Sequence, residues 1–531
     1  MSKSEKFLLS GNEAVALAAR DFGVLLGTGY PGTPSTEILE YFSEIGGRAQ
    51  WAPNEKVALE VAMGASYAGA RTLVTMKHVG LNVAADPFFT LAYTGVSGAL
   101  ILVSADDPGM ASSQNEQDNR NYARAAGVPM LEPSDSQQAY EYVMAAIEIS
   151  ERWKLPVILR MTTRICHSKT VVSLQSFELP PAKISYEQDI KGRVMVPAHA
   201  RPAHRRLRRK LDEIAQWSEN TPLNYLVDGD KSLGIISSGV AYSHAREAAP
   251  SASFLKLSLT YPLPLRKIKD FAAGVERCVV VEEGDPYLVE SIRTAGVPVE
   301  DKPQMYRFGE LNVDRVKRIL AGDAGAESSP PPGKPPQLCQ GCPHRSIFEV
   351  LKKLGCIVSG DIGCYTLGAL PPMEALHFQT CMGASIGVGL GLRHVFPEER
   401  ACKVVSVIGD STFVHSGITG LVEMVYNRPP TGHVLVILDN GTTAMTGLQE
   451  HPATGRRLDH QPTQKLVLED LAKSMGISRV FVIDPVKDKD ELERQLSESL
   501  SLEELTVIIA RRPCLLAAQK IKKYEKDAKV C

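Results

Sequence analysis

Two apolar runs in the last third of the chain end in residues whose oxygens suit a hard cation. KVVSVIGD (403–410) leads into Gly409-Asp410-Ser411, and HVLVILDN (433–440) leads into Asp439-Asn440-Gly441-Thr442-Thr443. Asp410 offers a carboxylate, Asn440 a side-chain carbonyl and Thr442 a backbone carbonyl. Mg²⁺ typically combines a few such protein oxygens with phosphates and water, and Gly409 and Gly441 let the backbone approach a diphosphate closely. The alternative is two unrelated turns at strand ends. Thiols are the second resource, with 10 cysteines in the chain. Without a secretory signal they argue against a disulfide framework, and for metal ligation or thiol chemistry where they cluster.

The elements that must position these residues are readable as patterns. Near-continuous apolar strands ending in polar residues are the central strands of a parallel sheet, with ligands at their C-terminal ends. The first third repeats the theme: LVTM (73–76), ALILVS (99–104) and LPVILRM (155–161) alternate with helical segments such as SQQAYEYVMAAIEISERW. Strand, helix, strand predicts a parallel α/β sheet. A second α/β segment starts at LGIISSG (233–239) and includes RCVVVEEG (277–284). Between them lies a basic tract, HARPAHRRLRRKL (199–211), read as a solvated linker helix because no aromatic platform or second basic stripe accompanies it. GDAGAESSPPPGKPP (322–336) is the clearest boundary, since consecutive prolines and small polar residues favour extended, unpacked backbone. The expected organisation is a first domain over 1–180, a linker over 181–225, a second domain over 226–321, the Pro-rich linker 322–336 and a third domain over 337–531.

Composition sets the outer limits. With 531 residues the chain is too long for one hydrophobic core. Apolar residues at 44% and charged residues at 23% give a folded globular protein rather than a disordered one. Lys plus Arg number 59 against 61 Asp plus Glu, so no global field draws the chain to nucleic acid or an anionic membrane. No signal peptide and no long uncharged apolar window is present, which makes a cytoplasmic location the expectation.

Gly409-Asp410-Ser411 with Asn440 thirty residues on resembles the thiamine diphosphate signature, and the continuation Thr442-Thr443-Ala444-Met445-Thr446-Gly447 strengthens the likeness. Met445 is a candidate wedge under the thiazolium, with a core methionine as the default. Thiamine enzymes also need a carboxylate against the aminopyrimidine, so that the C2 carbon can be deprotonated. WAPNEKVALEVAMGASYAGART (51–72) supplies one: Glu55 stands just before a Gly/Ala-rich helix, with Glu60 as rival.

The match then extends over nearly the whole chain. Gly29-Tyr30-Pro31-Gly32-Thr33-Pro34-Ser35, Met76-Lys77-His78-Val79-Gly80-Leu81-Asn82, Ala105-Asp106-Asp107-Pro108-Gly109, Ser113-Gln114-Asn115-Glu116-Gln117-Asp118, Cys339-Gln340-Gly341-Cys342-Pro343-His344-Arg345 and Asp361-Ile362-Gly363-Cys364-Tyr365 together resemble the alpha subunits of indolepyruvate ferredoxin oxidoreductases, in the thiamine diphosphate-dependent 2-oxoacid:ferredoxin oxidoreductase superfamily. The resemblance implies a multi-domain α/β fold with a pyrimidine-binding domain, a transketolase C-terminal-like domain and a diphosphate domain. It implies oxidative decarboxylation of arylpyruvates with coenzyme A to arylacetyl-CoA, CO₂ and reduced ferredoxin. Thiamine diphosphate and Mg²⁺ are the implied cofactors, with Asp410, Asn440 and Thr442 on the metal and Gly409, Ser411, Ala444, Met445, Gly363 and Cys364 near the cofactor. A separate beta subunit, ferredoxin or another electron carrier, and an (alpha-beta)₂ heterotetramer are the implied partners.

The oxidative route needs a one-electron acceptor near the thiamine. Cys339, Cys342, Cys364 and Cys514 follow the order of the proximal cluster ligands in the related beta chains, and four thiolates fit one [4Fe–4S] cluster. Zinc or unliganded thiols are the alternatives. Cys166, Cys278, Cys356, Cys381 and Cys402 are read as structural thiols. Alpha chains of this family normally continue into a ferredoxin-like module, and no C-x-x-C-x-x-C-x-x-x-C-P run occurs here; Cys531 stands where its first ligand would. On the substrate side the resemblance makes Thr33 a hydroxyl donor to the 2-oxoacid, and His78 and Arg120 are candidates for proton transfer and carboxylate binding. His344 and His415 flank the expected diphosphate site and Lys77 could hold an acidic group, with a surface salt bridge or a satisfied interior histidine as the alternative for each, and no mechanistic role is assigned to them. The rival functions are a non-oxidative thiamine-dependent 2-oxoacid decarboxylase and a redox-inactive scaffold subunit.

Overall fold

The computed structural model describes residues 5–174, 179–327, 336–527 and 529–530, so most of the Pro-rich linker and Cys531 lie outside the described residues. The chain forms two compact units, 1–328 and 329–531.

The first unit is built on a seven-stranded sheet. Its order in space is Leu259–Tyr261, Met130–Leu131, Val157–Thr162, Leu100–Asp106, Thr72–Lys77, Leu26–Gly29 and Ala49–Trp51. All neighbours are parallel except the Leu259–Tyr261 edge, which runs antiparallel to Met130–Leu131. The three central strands are buried at every position, as expected of a sheet covered on both faces. Helix Glu55–Tyr67 packs on it through Leu59 and through Ala58, Ala62 and Ser66, small residues that let the helix approach closely. Asn54 caps its N-terminus by accepting from the Val57 amide at 2.9 Å.

A four-stranded sheet ordered Cys278–Val281, Asp230–Ser237, Ala252–Lys256 and Tyr225–Val227 completes this unit. The basic tract lies in helix Pro197–Ser218, which buries Ala203, Leu207, Leu211 and Ile214 and leaves its arginines in solvent. That is the solvated helix expected of it, anchored by an apolar stripe.

The second unit holds a five-stranded parallel sheet ordered Ile357–Ser359, Val404–Gly409, His433–Asp439, Leu505–Arg511 and Arg479–Ile483. Apolar clusters cover its two faces, one around Phe348, Leu351, Val436 and Leu496, the other around Ile386, Phe413, Leu435 and Ile509. No helix among the described residues is long and apolar enough to cross a membrane.

Charge is buried in the first unit to an unusual extent. Arg160 donates to Asp106 at 2.8 Å and to Glu132 at 2.7 Å. Lys256, fully buried, donates to the Glu132 carbonyl at 3.0 Å and to Ser258 Oγ at 3.1 Å. Burial lowers this lysine from the usual 10.5 to about 7, against the pull of Glu132 and Asp135. Between these two values the unfolded chain carries the proton and the folded chain does not, so this group's contribution to stability rises as pH rises from about 7. From pH 7 to 9 the melting temperature of wild type is therefore expected to rise relative to that of Lys256→Met. Parallel curves would contradict the burial argument.

Candidate active site

In the second unit the strands Val404–Gly409 and His433–Asp439 are parallel neighbours, with Gly409 paired to Leu438. Their C-terminal turns therefore stand side by side. Asp410 is 2% exposed, and its two oxygens accept from the Ser411 and Gly441 amides, both at 2.8 Å. One carboxylate thus clamps the end of one strand to the turn after the next. Gly441 adopts φ +73, a left-handed conformation that explains why glycine stands there. Asn440 Oδ1 accepts from the Thr442 amide at 3.1 Å, and Thr443 Oγ1 donates to Ser411 Oγ at 2.8 Å. Ala444 is half-buried, and Met445 is 44% exposed, which removes its default reading as a core methionine.

Two histidines that spacing did not implicate together meet at this turn. His451 Nε2 lies 3.3 Å from Asp410 Oδ2, and His344 Nε2 lies 3.4 Å from Asn440 Nδ2. Both rings are buried, and the Nδ1 atom of each has no hydrogen-bond partner among the described residues. Burial pushes the Asp410 carboxyl up, but the His451 charge and hydrogen bond, with the two amides, outweigh it and hold it below the ordinary range. Burial pushes His344 down to about 4 despite the nearby Asp410. His415, expected beside this site, hydrogen-bonds its neighbour Ser416 at 2.7 Å. Nothing in the sequence marked His451, which simply follows Gln449-Glu450 and precedes a proline.

The cysteine loops attach to the same turn. The Cys514 amide donates to the Asn440 carbonyl at 2.9 Å, and Cys342 precedes helix Pro343–Lys353, whose second residue is His344. The Asp361–Tyr365 turn is tied in as well: the Gly409 amide donates to Tyr365 Oη at 2.9 Å, and Thr412 Oγ1 donates to the Ile362 carbonyl at 2.9 Å. Gly363 is required by close approach, since a Cβ there would stand 2.4 Å from the Tyr365 ring. Cys364 is pushed up to about 11, by burial first and then by the charges of Cys514, Cys342 and Cys339. The four thiols are therefore near enough to act on one another. Among the described residues, no three His, Cys, Asp or Glu side chains already stand in a metal-holding group. Of the remaining cysteines Cys166, Cys278 and Cys356 are buried as expected, Cys402 is half-buried and Cys381 is exposed.

In the first unit the candidate residues gather at the C-terminal edge of the seven-stranded sheet. Glu55 is 5% exposed and lies against Gly80, where a Cβ would come within 2.6 Å of its Oε1. Glu60 is exposed and paired with Lys56. Thr33, half-buried, sits in the loop after Leu26–Gly29 that Ser35 Oγ braces by donating to the Gly32 carbonyl at 3.0 Å. His78 directly follows Thr72–Lys77; its Nε2 lies 3.2 Å from the Asn115 carbonyl, and its Nδ1 has no partner among the described residues.

Arg120 is a correction. Its guanidinium is 1% exposed and donates to Asp118, Glu282 and the Glu283 and Asp285 carbonyls. An arginine so engaged holds the protein together and has nothing left for a substrate carboxylate.

Asp361, quoted above only as part of a motif, proves to be the brace of the Cys364 turn. It accepts from the Ile362 and Gly383 amides at 2.9 Å and from the Ser385 amide at 3.0 Å, and burial raises its carboxyl to about 6. Asp361→Ala leaves these buried amides unpaired, a cost of about 2–3 kcal/mol. The expected result is a fall of about 5 °C or more in the melting temperature by circular dichroism, with Asp361→Asn losing less. An unchanged melt would contradict the bracing role.

The comparisons with known proteins agree with this geometry. Residues 17–213 match the family model "Pyruvate flavodoxin/ferredoxin oxidoreductase, thiamine diP-bdg", and residues 361–510 match "Thiamine pyrophosphate enzyme, C-terminal TPP binding domain". The indolepyruvate oxidoreductase subunit IorA of Archaeoglobus fulgidus is 40% identical, with 99% of this chain and 89% of the relative covered. The subunit of the same name from Methanothermobacter thermautotrophicus is 39% identical over 98% and 88%, and that from Pyrococcus abyssi 37% over 96% and 86%. Among solved structures, the 2-oxoglutarate:ferredoxin oxidoreductase from Magnetococcus marinus shares the fold at a TM-score of 0.53 and 17% identity, covering 61% of this chain and 66% of that one. The chain belongs to the IorA family of indolepyruvate oxidoreductase subunits, thiamine diphosphate-dependent 2-oxoacid:ferredoxin oxidoreductases.

Proposed function

We propose that the chain catalyses oxidative decarboxylation of arylpyruvates of the indolepyruvate class, with coenzyme A, to an arylacetyl-CoA, CO₂ and reduced ferredoxin. It does so with a beta subunit in an (alpha-beta)₂ assembly. The observation that carries this reading is the position of Asn440: its side chain sits in the Asp410 turn while its carbonyl receives the Cys514 amide. The residues proposed for the diphosphate-metal site and for the thiolate site thereby meet at Asn440.

The donors fit the groups they would hold. Asp410, Asn440 and the Thr442 carbonyl supply hard oxygens for Mg²⁺, and the unpartnered Nδ1 atoms of buried His344 and His451 are polar groups in want of an acceptor. Four neighbouring thiols, Cys339, Cys342, Cys364 and Cys514, suit a [4Fe–4S] cluster. When bound, thiamine diphosphate supplies the electron sink for loss of CO₂ and the cluster accepts electrons one at a time. Glu55, buried against Gly80, would be the carboxylate that meets the aminopyrimidine and holds a proton there. Thr33 donates its hydroxyl to the 2-oxoacid, and His78 moves a proton on the substrate side. The Asp410 clamp fixes the turn that would meet the diphosphate.

Titration of thiamine diphosphate with and without Mg²⁺, followed calorimetrically, tests the assignment. Wild type is expected to bind only with Mg²⁺, Asp410→Ala to weaken binding by about 30-fold or more, and Glu55→Gln to bind normally while turnover falls about 100-fold or more. Unchanged Mg²⁺-dependent binding in Asp410→Ala, or full turnover in Glu55→Gln, would contradict it.

A further inference from the structure

A 2-oxoacid brings one fixed negative charge, its carboxylate, and a buried site must answer it with a cation. The obvious candidates in the first unit are already spent. Arg120 is neutralised by Asp118 and Glu282, and Arg160 by Asp106 and Glu132.

Lys77 is different. It ends the strand Thr72–Lys77 at the C-terminal edge of the sheet and is only 9% exposed. Its ammonium donates to a neutral group, the Ser112 carbonyl. Asp107, the acidic neighbour that acts on it through space, spends its own oxygens on the Ser112 amide at 2.8 Å, on Ser113 Oγ and on Thr163 Oγ1 at 2.9 Å. The lysine stem packs on the loop that carries Thr33: a Cβ on Gly32 would stand 3.0 Å from Lys77 Cβ. The loop that carries Thr33 therefore runs against the Lys77 stem at Gly32, the residue before Thr33, and His78 follows Lys77 directly in sequence. We propose that Lys77 binds the carboxylate of the 2-oxoacid, the role that sequence pattern alone gave to Arg120.

The inference rests on the reading of this chain as a 2-oxoacid oxidoreductase subunit. Burial lowers this ammonium to about 8 against the pull of Asp107, so an anion bound beside it would offset part of the cost of burying the charge. Because the carboxylate leaves as neutral CO₂, its bond to Lys77 cannot strengthen in the transition state, and its loss must appear in KM more than in kcat.

The experiment uses the alpha-beta complex with thiamine diphosphate and Mg²⁺. Lys77→Met is expected to raise KM for indolepyruvate by about 30-fold or more while kcat falls far less, and Lys77→Arg to recover most of the loss. Calorimetry with two unreactive probes gives a readout independent of turnover: indole-3-propionate should bind Lys77→Met about 30-fold more weakly than wild type, and the neutral alcohol indole-3-propanol equally to both. Equal propionate binding and equal KM in an active complex would overturn the proposal and leave the oxidoreductase reading intact. A wild-type complex that turns over no 2-oxoacid would instead overturn that reading and this inference with it. Should Lys77→Met melt early, Lys77→Gln and Lys77→Arg decide: early melting in all three makes Lys77 a structural residue and overturns the proposal.

Discussion

The buried Asp410 carboxylate is the interaction on which the second unit's chemistry depends. It stands at the end of one central strand and accepts the Gly441 amide from the turn after the next. A carboxylate taken out of water is costly unless fully bonded, and two amides with a histidine meet that demand. The consequence is geometric: the Asn440 turn cannot move independently of the Gly409-Asp410 turn. Because the Cys514 amide is bonded to the Asn440 carbonyl, the last thiol inherits the same constraint. Tyr365 carries it to Cys364, through its hydroxyl on the Gly409 amide.

The first unit solves a related problem with more charge. Arg120, Arg160, Lys256 and Lys302 share its interior with Asp106, Glu132, Glu282 and Glu283 and with the Asp118 carboxylate. These groups bind the segment after the Leu100–Asp106 strand to residues of the four-stranded sheet, as in the Arg120–Glu282 pair. Such pairs add little net stability over apolar packing, but removing one partner strands the other, so they fix one arrangement. The segment so fixed also reaches the strand that ends at Lys77, where Asn119 Nδ2 donates to the His78 carbonyl at 3.1 Å.

Legibility followed distance along the chain. The central strands and the Asp410 and Asn440 turns were readable because apolar runs, strand-end polarity and a thirty-residue spacing are local signals. The basic tract was readable as a solvated helix in the same way, while its buried stripe of Ala203, Leu207, Leu211 and Ile214 emerged only from the structure. Arg120 was misread because its partner Glu282 lies 162 residues away, and nothing near Arg120 reveals that its donors are committed. His451 and Asp361 were overlooked for the same reason, since each matters through a carboxylate or amides contributed by another element. Met445, a candidate wedge with a core methionine as the default, and Cys381, read as a structural thiol, are both exposed.

The central claim is that thiolate and thiamine chemistry share one turn. Its most direct test is the anaerobic visible and electron paramagnetic resonance spectrum of the alpha-beta complex, before and after indolepyruvate and coenzyme A, in wild type and Cys514→Ser. The account predicts broad iron–sulfur absorbance that bleaches only with the 2-oxoacid, with a reduced-cluster signal that Cys514→Ser abolishes. A colourless or zinc-loaded protein that still consumes the keto acid would contradict it.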